Sequence, residues 1–545
     1  MDWSRIVETD VLVLGSGIAG LAGAIEARRN GARVVVAAQG PIGRPSVSSH
    51  AGGQLALHLP PRSERLNDDW MRTSPLTNRE VAQALAAQAE LLIGGLAEYG
   101  VAVRPSDEGG YSIARLPGDT EWPSVRLISQ MAQKSRQLGV DLMHGVTVTD
   151  LQSVDGRCYG ARAFTENGTE LEIRAKATVV AIGGAGRLFQ PSFGMTGDGF
   201  ALLLRAGARL VNMEFTKFFP LGLPSVRYPP QRPSRRFYDL EGLRVVNVRG
   251  EDLCEKYLGA SIRDSLVDLY SRFVTLSWIV TKEWRDGPVY LDLTRVPSAV
   301  WDSMVELGVP GLMSRWGASP DLWNKLLSRR ILPTRPISHS IAGGALVGSD
   351  MSTGVDGLFA GGEVVDAFWE LEAQPPYSIG PLPSALITGH IAGHEAARFA
   401  KRVTGTLPVS TKWGDAPDEV ETYTPSSAAT RISSIMLKDG GPLRSRASIE
   451  AGLEQLDRLE TERRPMPRVS PRDRSRIVGG RSLLMTARAI LFAAHLREES
   501  RSEHYREDFP AKDDVRWIRP IAVRLNEDGC LTAEEVVENL VGQAT

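Results

Sequence analysis

The chain has 545 residues, with 63 Lys plus Arg against 65 Asp plus Glu and a formal net charge of -2. That length allows two or three domains and a large buried core, and the balanced charge gives no basic field to favour nucleic acid or an anionic membrane. Met1 leads into the first strand within a few residues and no apolar run approaches bilayer-spanning length, so the expectation is a cytoplasmic protein without direct membrane insertion. Cys158, Cys254 and Cys530 lie far apart with no CxxC spacing, which excludes an iron–sulfur cluster or a structural zinc site built within this chain.

Residues 9–36 read TDVLVLGSGIAGLAGAIEARRNGARVVV. The β-branched run at 11–14 predicts a buried parallel strand, GSGIAG a tight glycine turn, LAGAIEARRNG a helix ending at Gly31, and 34–36 the second strand of a βαβ unit. In that spacing Gly15 makes the turn, Gly17 lets the backbone approach a pyrophosphate, and Gly20 lets helix and strand pack closely. Ser16 and Ala19 of the same turn count among the cofactor contacts, and the helix N-terminus faces the phosphates. The ribose-binding acid expected after the second strand is absent, because Ala37, Ala38 and Gln39 stand there. Gln39 is left to serve instead.

The loop that follows, GPIGRPSVSSHAGGQLAL, is dense in Ser and Gly. It resembles the Ser-rich AQGGI loop of the fumarate reductase, succinate dehydrogenase and L-aspartate oxidase flavoprotein family, with Gly52 and Gly53 as the paired glycines. The resemblance implies FAD, contacted here by Ser46, Ser48, Gly52, Gly53 and Gln54. In membrane-linked members of the family a histidine of this loop carries the flavin covalently. Its ungapped counterpart is Ser46, so FAD is expected to be non-covalent; His50, where the family has Ala, is read as a polar loop residue, with a covalent linkage as the alternative.

Helical spacing at 81–99 and 124–138 predicts two helices over the sheet. GVDLMHGVTVTDLQSVDGRCYGARAF alternates strand-like segments about the turn signals Asp155 and Gly156, and resembles the family's adenine-side ribbon, where the backbone near Val148 meets the adenine. ATVVAIGGAGRLF and TGDGFALLLRAGA match the family's ATGGaG and tGDG, which implies cofactor contacts at Ala181, Gly183 and Gly184 and places Asp198 near the ribityl chain.

MEFTKFFPLGL lines up with the family's mEfvQfHPT, so Phe219 replaces the histidine that contacts a substrate carboxylate and Leu221 replaces the threonine. In RRFYDLEGLRVVNVRGEDL, Glu241, Gly242 and Asn247 keep family positions, while the family's Thr-Glu substrate pair falls on Arg235 and Arg236. These two arginines are read as binding an anionic part of the substrate, or else as a solvated basic loop. In LYSRFVTLSWIVTKEWRDGPVYLDL, Arg272 resembles the family's proton donor or acceptor, although Phe273 replaces the following Asp and the spacing to Glu283 is one residue too long. RPISHSIAGGALV reproduces RPtaHYtMGGI, giving Arg335, Pro336, His339, Gly343 and Gly344, with His339 facing the flavin. GLFAGGEVV matches GLyAaGEv, so Glu363 would bind ribityl hydroxyls. The family's carboxylate-clamping Arg has no counterpart, since no Arg or Lys occurs between Glu363 and Arg398. Residues 381–386, with Leu386, are expected under the ring. His390 and His394 share a helix face without a third ligand at sensible spacing, so no metal is assigned. REESRSEHYREDFP copies R.ESRGaHyReDfP of the family's C-terminal domain.

Together these imply an α/β fold: a Rossmann-like FAD-binding domain at 1–222 and 337–403, an inserted α+β capping domain at 223–336, a linker at 404–428 and a C-terminal helical domain at 429–545. The implied chemistry is hydride transfer between flavin N5 and a carbon next to an activating group, with a side chain exchanging the second proton. Because three dicarboxylate-binding positions have changed, the expected substrate is a small anionic molecule other than succinate, fumarate or aspartate. The alternatives are the flavin subunit of an electron-transfer complex with an iron–sulfur partner, similar to adenylylsulfate reductase, and a chain that binds FAD without turnover.

Overall fold

The computed structural model describes residues 5–43, 46–50, 54–55, 57–58, 76–105, 111–114, 123–189, 195–222, 238, 240–266, 271–307, 328–366, 378–405, 407, 420–422, 425–462, 464–466 and 469–536. The opening unit is β1 (Arg5–Leu14), α1 (Ile18–Arg29) and β2 (Val34–Ala37), with Leu12 opposite Val35 in parallel register. Val11, Leu12, Val13 and Leu14 are wholly buried, so both faces of this strand are covered and no side is left for polar alternation. The helices α2 (Arg79–Gly95) and α3 (Pro123–Gln137) are the ones the helical spacing predicts. Next come β3 (Asp141–Met143), β4 (Val146–Val154), β5 (Arg157–Thr165) and β6 (Glu170–Val180). Between β4 and β5, Asp155 (φ 49) and Gly156 (φ 75) form the two-residue turn whose twist suits a hairpin.

After α4 (Asp198–Arg205) the chain forms β7 (Leu210–Val211), β8 (Thr216–Gly222), β9 (Arg244–Val246), α5 (Leu276–Trp284), β10 (Val289–Asp292), β11 (Ile331–Ile341), β12 (Gly344–Ala345) and β13 (Leu358–Ala360). The main sheet runs β3-β2-β1-β6-β5-β4, with β13 parallel to β6 at its C-terminal end. A second sheet, β8-β11-β10-β9, belongs to the cap region, and its long strands β8 and β11 join that region to the FAD-binding part. The cap has its own apolar core around Leu243, Val245, Ile279, Val289, Leu291 and Leu332.

The helix α6 (Pro381–Arg402) returns to pack across α1. The C-terminal segment contains α7 (Pro425–Asp439), α8 (Arg446–Thr461) and α9 (Pro471–Leu496), followed by β14 (Ile521–Leu525) and β15 (Leu531–Glu535). Two expectations change here. The segment is not wholly helical, since β14 and β15 extend a sheet ordered β12-β7-β14-β15 and so close an edge left by the FAD-binding part. The first helix begins at Pro425, inside the expected linker. A third correction concerns α9, which is long and apolar enough to cross a membrane by length and composition, although 72% of its apolar window is buried inside the fold, as suits a core helix.

Candidate active site: a dinucleotide cradle and an aromatic wall

At the C-terminal end of β1, Gly15 has φ +102, and a Cβ there would lie 2.2 Å from the Ala181 carbonyl oxygen. A Cβ on Gly20 would lie 2.0 Å from the Gly15 carbonyl oxygen, so both positions need the missing side chain. Ala181 N–H donates to the Leu14 carbonyl at 2.8 Å, which fixes β6 beside the turn. By contrast, the nearest atom to a Cβ on Gly17 is Ser48 Oγ at 3.5 Å, so that side is open to a ligand. Ser48 Oγ accepts from Ile18 N–H (3.3 Å), Ser16 Oγ accepts from Gly43 N–H (2.9 Å), and Ser46 Oγ donates to the Gly43 carbonyl (3.1 Å). The three serines thus gather at the N-terminus of α1, where amide groups and dipole favour an anion. The backbone of Ala19 meets Gly389, whose Cβ would lie 2.2 Å from the Ala19 carbonyl oxygen, and this contact lets α6 cross α1 closely. Gly52 and Gly53 lie outside the described residues, as do the side chains of His50 and Gln54; the backbone of Gln54 pairs with Ser112.

At the far end of β2, Gln39 Nε2 donates to Ser475 Oγ at 2.6 Å, and Thr147 Oγ1 donates to the same oxygen at 3.1 Å. Gln39 and the strand that carries Val148 are therefore neighbours. Ser475 was not foreseen, because it comes from a helix start hundreds of residues away with no motif around it.

Glu363 sits beside Gly184, whose N–H donates to Oε2 at 3.2 Å. Loss of water around its carboxyl pushes the pKa up to about 7, opposed only by that backbone hydrogen bond. Asp198 Oδ2 accepts from Thr196 Oγ1 at 2.6 Å, while its Oδ1 is buried without a hydrogen-bond partner among the described residues. A desolvated acid with one donor and an orphaned carboxylate oxygen are the groups that a polyhydroxyl chain would satisfy. With the open Gly17 side, these residues fit FAD. Gly183 has φ +89, and Leu386 is buried in the second turn of α6.

A second group of candidate residues is carried by β8 and β11. Their register runs Phe219↔Ile337 and Phe218↔Ser338, then Lys217↔Ser340, so β11 carries one extra residue, His339. The bulge turns His339 onto the face of Phe219, with ring centroids 4.5 Å apart at 71°. Phe219 also meets Phe273 edge-on at 5.4 Å, whereas Phe218 points the other way onto Phe189 in the core. His339 Nδ1 lies 3.1 Å from Ser340 Oγ. Arg335, on the same face of β11, is half-buried, and burial lowers its pKa; no acid pairs with it among the described residues.

Arg272 lies in the π-helical turn Ser271–Thr275 that leads into α5, and its side chain is outside the description. A π turn absorbs one extra residue, which accounts for the long spacing to Glu283. Glu283 itself is a cap anchor, accepting from Asn247 Nδ2 (2.8 Å), Lys256 Nζ (2.8 Å) and Tyr257 OH (2.7 Å). Arg235 and Arg236 lie outside the described residues. His390 and His394 face Glu26 of α1 at 3.6 and 3.3 Å, as a polar contact between two helices.

The role of the C-terminal motif was not legible, although the motif was. Arg497 binds Glu214 (2.6 Å) and Glu499 (3.0 Å), and Arg501 binds Glu499 (2.7 Å). Arg444 donates to the Glu214 carbonyl and to Thr216 Oγ1, both at 2.6 Å, and to His504 Nδ1 at 2.9 Å. Burial and the neighbouring Arg444 hold the His504 pKa well below the usual imidazole range, so the ring is neutral. This buried network grips the start of β8 and so sets the direction of the wall.

A glycine turn at a strand–helix junction, two acids that a polyhydroxyl chain would satisfy and a second sheet with its own apolar core are the features of a capped flavoprotein. The chain belongs to the fumarate reductase, succinate dehydrogenase and L-aspartate oxidase family of FAD-dependent oxidoreductases: the FAD binding domain family matches residues 10–373 and the fumarate reductase flavoprotein C-term family matches 429–541. It is 26% identical over 570 residues to an L-aspartate oxidase of Streptomyces coelicolor, covering 96% of this chain and 93% of that one. It is 25% identical over 557 residues to a fumarate reductase (CoM/CoB) subunit of Methanothermobacter marburgensis, covering 95% and 97%. The fold matches that of a mutant of E. coli quinol fumarate reductase FrdA with a TM-score of 0.76 at 21% identity, covering 98% and 97%.

Proposed function

We propose that this flavoprotein transfers hydride between flavin N5 and a carbon next to an activating group of a small anionic substrate that is neither succinate nor fumarate. The observation that carries the reading is the pairing of an FAD-fitting cradle with a wall in which Phe219, not a histidine, meets His339 at 4.5 Å. When bound, FAD supplies the two-electron chemistry. The chain holds the pyrophosphate at the N-terminus of α1, keeps water from the reacting carbon with Phe219 and Phe273, orients the substrate with His339, and exchanges the second proton at Arg272. Residues 223–336 act as the cap, and Arg235 or Arg236 meets an anionic group of the substrate.

Two measurements test this reading. Acid precipitation should release yellow FAD into the supernatant, because Ser46 cannot form the histidyl linkage; colour retained in the pellet would point to His50. Anaerobic succinate should leave the flavin oxidised, because an unpaired second carboxylate beside aromatic rings costs several kcal/mol or so. Rapid bleaching would overturn the substrate assignment. A second reading, in which the chain works with an iron–sulfur partner, is favoured by the relative that is named as one subunit of a fumarate reductase. Iron and sulfide co-purifying with the chain under native conditions would support it.

A further inference from the structure

Two departures from the family motifs belong to one place in the fold. Lys217 stands where MEFTKFFPLGL aligns with the glutamine of mEfvQfHPT, and Glu503 where REESRSEHYREDFP aligns with the small residue of R.ESRGaHyReDfP. Lys217 precedes Phe219 by two residues on β8 and pairs with Ser340 across the bulge that carries His339. Because alternate residues share a face, its stem leaves the strand on the side of Phe219 and His339, away from Phe218. It is only partly exposed, and its ammonium has no hydrogen-bond partner among the described residues.

Glu503 lies in a tight turn where Arg501 and His504 exchange backbone hydrogen bonds of 2.9 Å. Ser502, just before it, is held at φ +47. A side-chain-bearing residue keeps that left-handed conformation only where its surroundings impose it. Burial raises the Glu503 pKa, and Lys217 and the Ser502 hydroxyl oppose the rise. The other cations around this turn are committed: Arg501 to Glu499 and Asp514, Arg497 to Glu214 and Glu499, and Arg506 to Asp508. Arg444 is spent on the Glu214 carbonyl and Thr216, and His504 is neutral. Lys217 is therefore the cation that answers Glu503, while its own N–H groups stay available to a ligand.

Resting on the reading of the site above, we infer that Lys217 binds the anionic head of the substrate, that Glu503 holds its charge in place, and that Phe219 and Phe273 receive an apolar body. The substrate class is then an anion with an apolar or aromatic body.

The test is calorimetric titration of the FAD-loaded protein with acetate, phenylacetate and malonate. Phenylacetate is expected to bind at least about tenfold more tightly than the other two. Lys217→Gln should weaken phenylacetate by about tenfold or more, Lys217→Met should do the same, and Lys217→Arg should keep most of the affinity. Glu503→Gln should weaken it by a smaller factor, with rescue by Glu503→Asp. Malonate binding more tightly than phenylacetate, Lys217 variants that bind like wild type, or a wild type that binds none of the three would each overturn the inference. FAD content, measured separately by released absorbance, reports on the cofactor reading, which fails if the wild type holds no flavin whatever the anions do.

Discussion

The two halves of the candidate site are made of different material. On the cradle side the decisive contacts are backbone ones: Gly15 against Ala181, Gly20 against Gly15, and amide groups at the start of α1. On the wall side they are side chains on the pleat of β8 and β11: Lys217, Phe219, Arg335 and His339. A pyrophosphate needs backbone approach, which only a residue without Cβ permits, so the cradle has few alternatives. A substrate is recognised by side-chain groups, each replaceable without moving the strand that carries it. The resemblance to the family therefore holds in the cradle and along β11, where Arg335 and His339 keep motif positions, and fails on β8, where Lys217 and Phe219 replace the motif residues.

If that contrast is right, damage to the cradle should be severe and insensitive to chemistry. Gly20→Val would drive a branched side chain into the Gly15 carbonyl, 2.0 Å from the new Cβ. FAD content should fall by about a hundredfold or more, or the protein should fail to fold, since a backbone clash cannot relax locally. Normal flavin loading would break the comparison at once.

The next effect comes from the one cradle acid whose charge is unsettled. Glu363 has a folded pKa of about 7, above its ordinary 4.5, so without FAD the fold holds more protons than the unfolded chain and loses stability as pH rises from about 4.5 to 7. The loss is at most ~3.5 kcal/mol, at about 1.4 kcal/mol for each pH step of one between those two values. Ribityl hydroxyls that donate to the carboxylate bring its pKa down again, so FAD binding releases a proton. FAD should bind the apoprotein several-fold more tightly at pH 8 than at pH 6, and Glu363→Gln should flatten that slope. A slope that persists in the Gln variant belongs to another group.

In the proposed cap, single substitutions should change substrate use while flavin content stays constant. Arg235→Ala and Arg236→Ala are expected to separate, because the proposal has one of the two adjacent side chains meet the substrate. The pocket-facing one should lower kcat/KM for the anionic substrate by about tenfold, the value of one charge-assisted hydrogen bond, and the other should resemble wild type. Two wild-type-like variants would mean that this part of the cap does not select anions.

What the sequence revealed follows the same division. The glycine turn, the Asp155–Gly156 hairpin and the Glu363 position were legible because each is a local demand written in a few consecutive residues. The C-terminal hairpin was missed because the other edge of β14 is satisfied by β7, a partner hundreds of residues earlier. Ser475 was missed for the same reason. The extra residue before Glu283 could be counted, but not that a π turn at Ser271–Thr275 would absorb it. The bulge at His339 leaves no trace in an ungapped motif, and no reading of single motifs brings Lys217 and Glu503 together.

The smallest effect sharpens the comparison most, because it touches the wall without touching any wall residue. Ser502 stands where the family motif has glycine and holds φ +47. Ser502→Gly removes a left-handed strain of about 1–2 kcal/mol. It adds a glycine entropy cost of about 0.5–1 kcal/mol and loses a hydroxyl hydrogen bond to Glu503 of about 1 kcal/mol. Stability should therefore change little, with Tm within about 2 °C of wild type. The Glu503 carboxylate, however, loses a donor that favours its charged form, so its raised pKa rises further and Lys217 loses part of its counter-charge. Phenylacetate affinity should drop by about threefold or less, and by more at pH 6 than at pH 8, because protonation of Glu503 is favoured on the acid side. An equal drop at both pH values would make Ser502 a packing residue of its turn and separate Glu503 from the charge on Lys217.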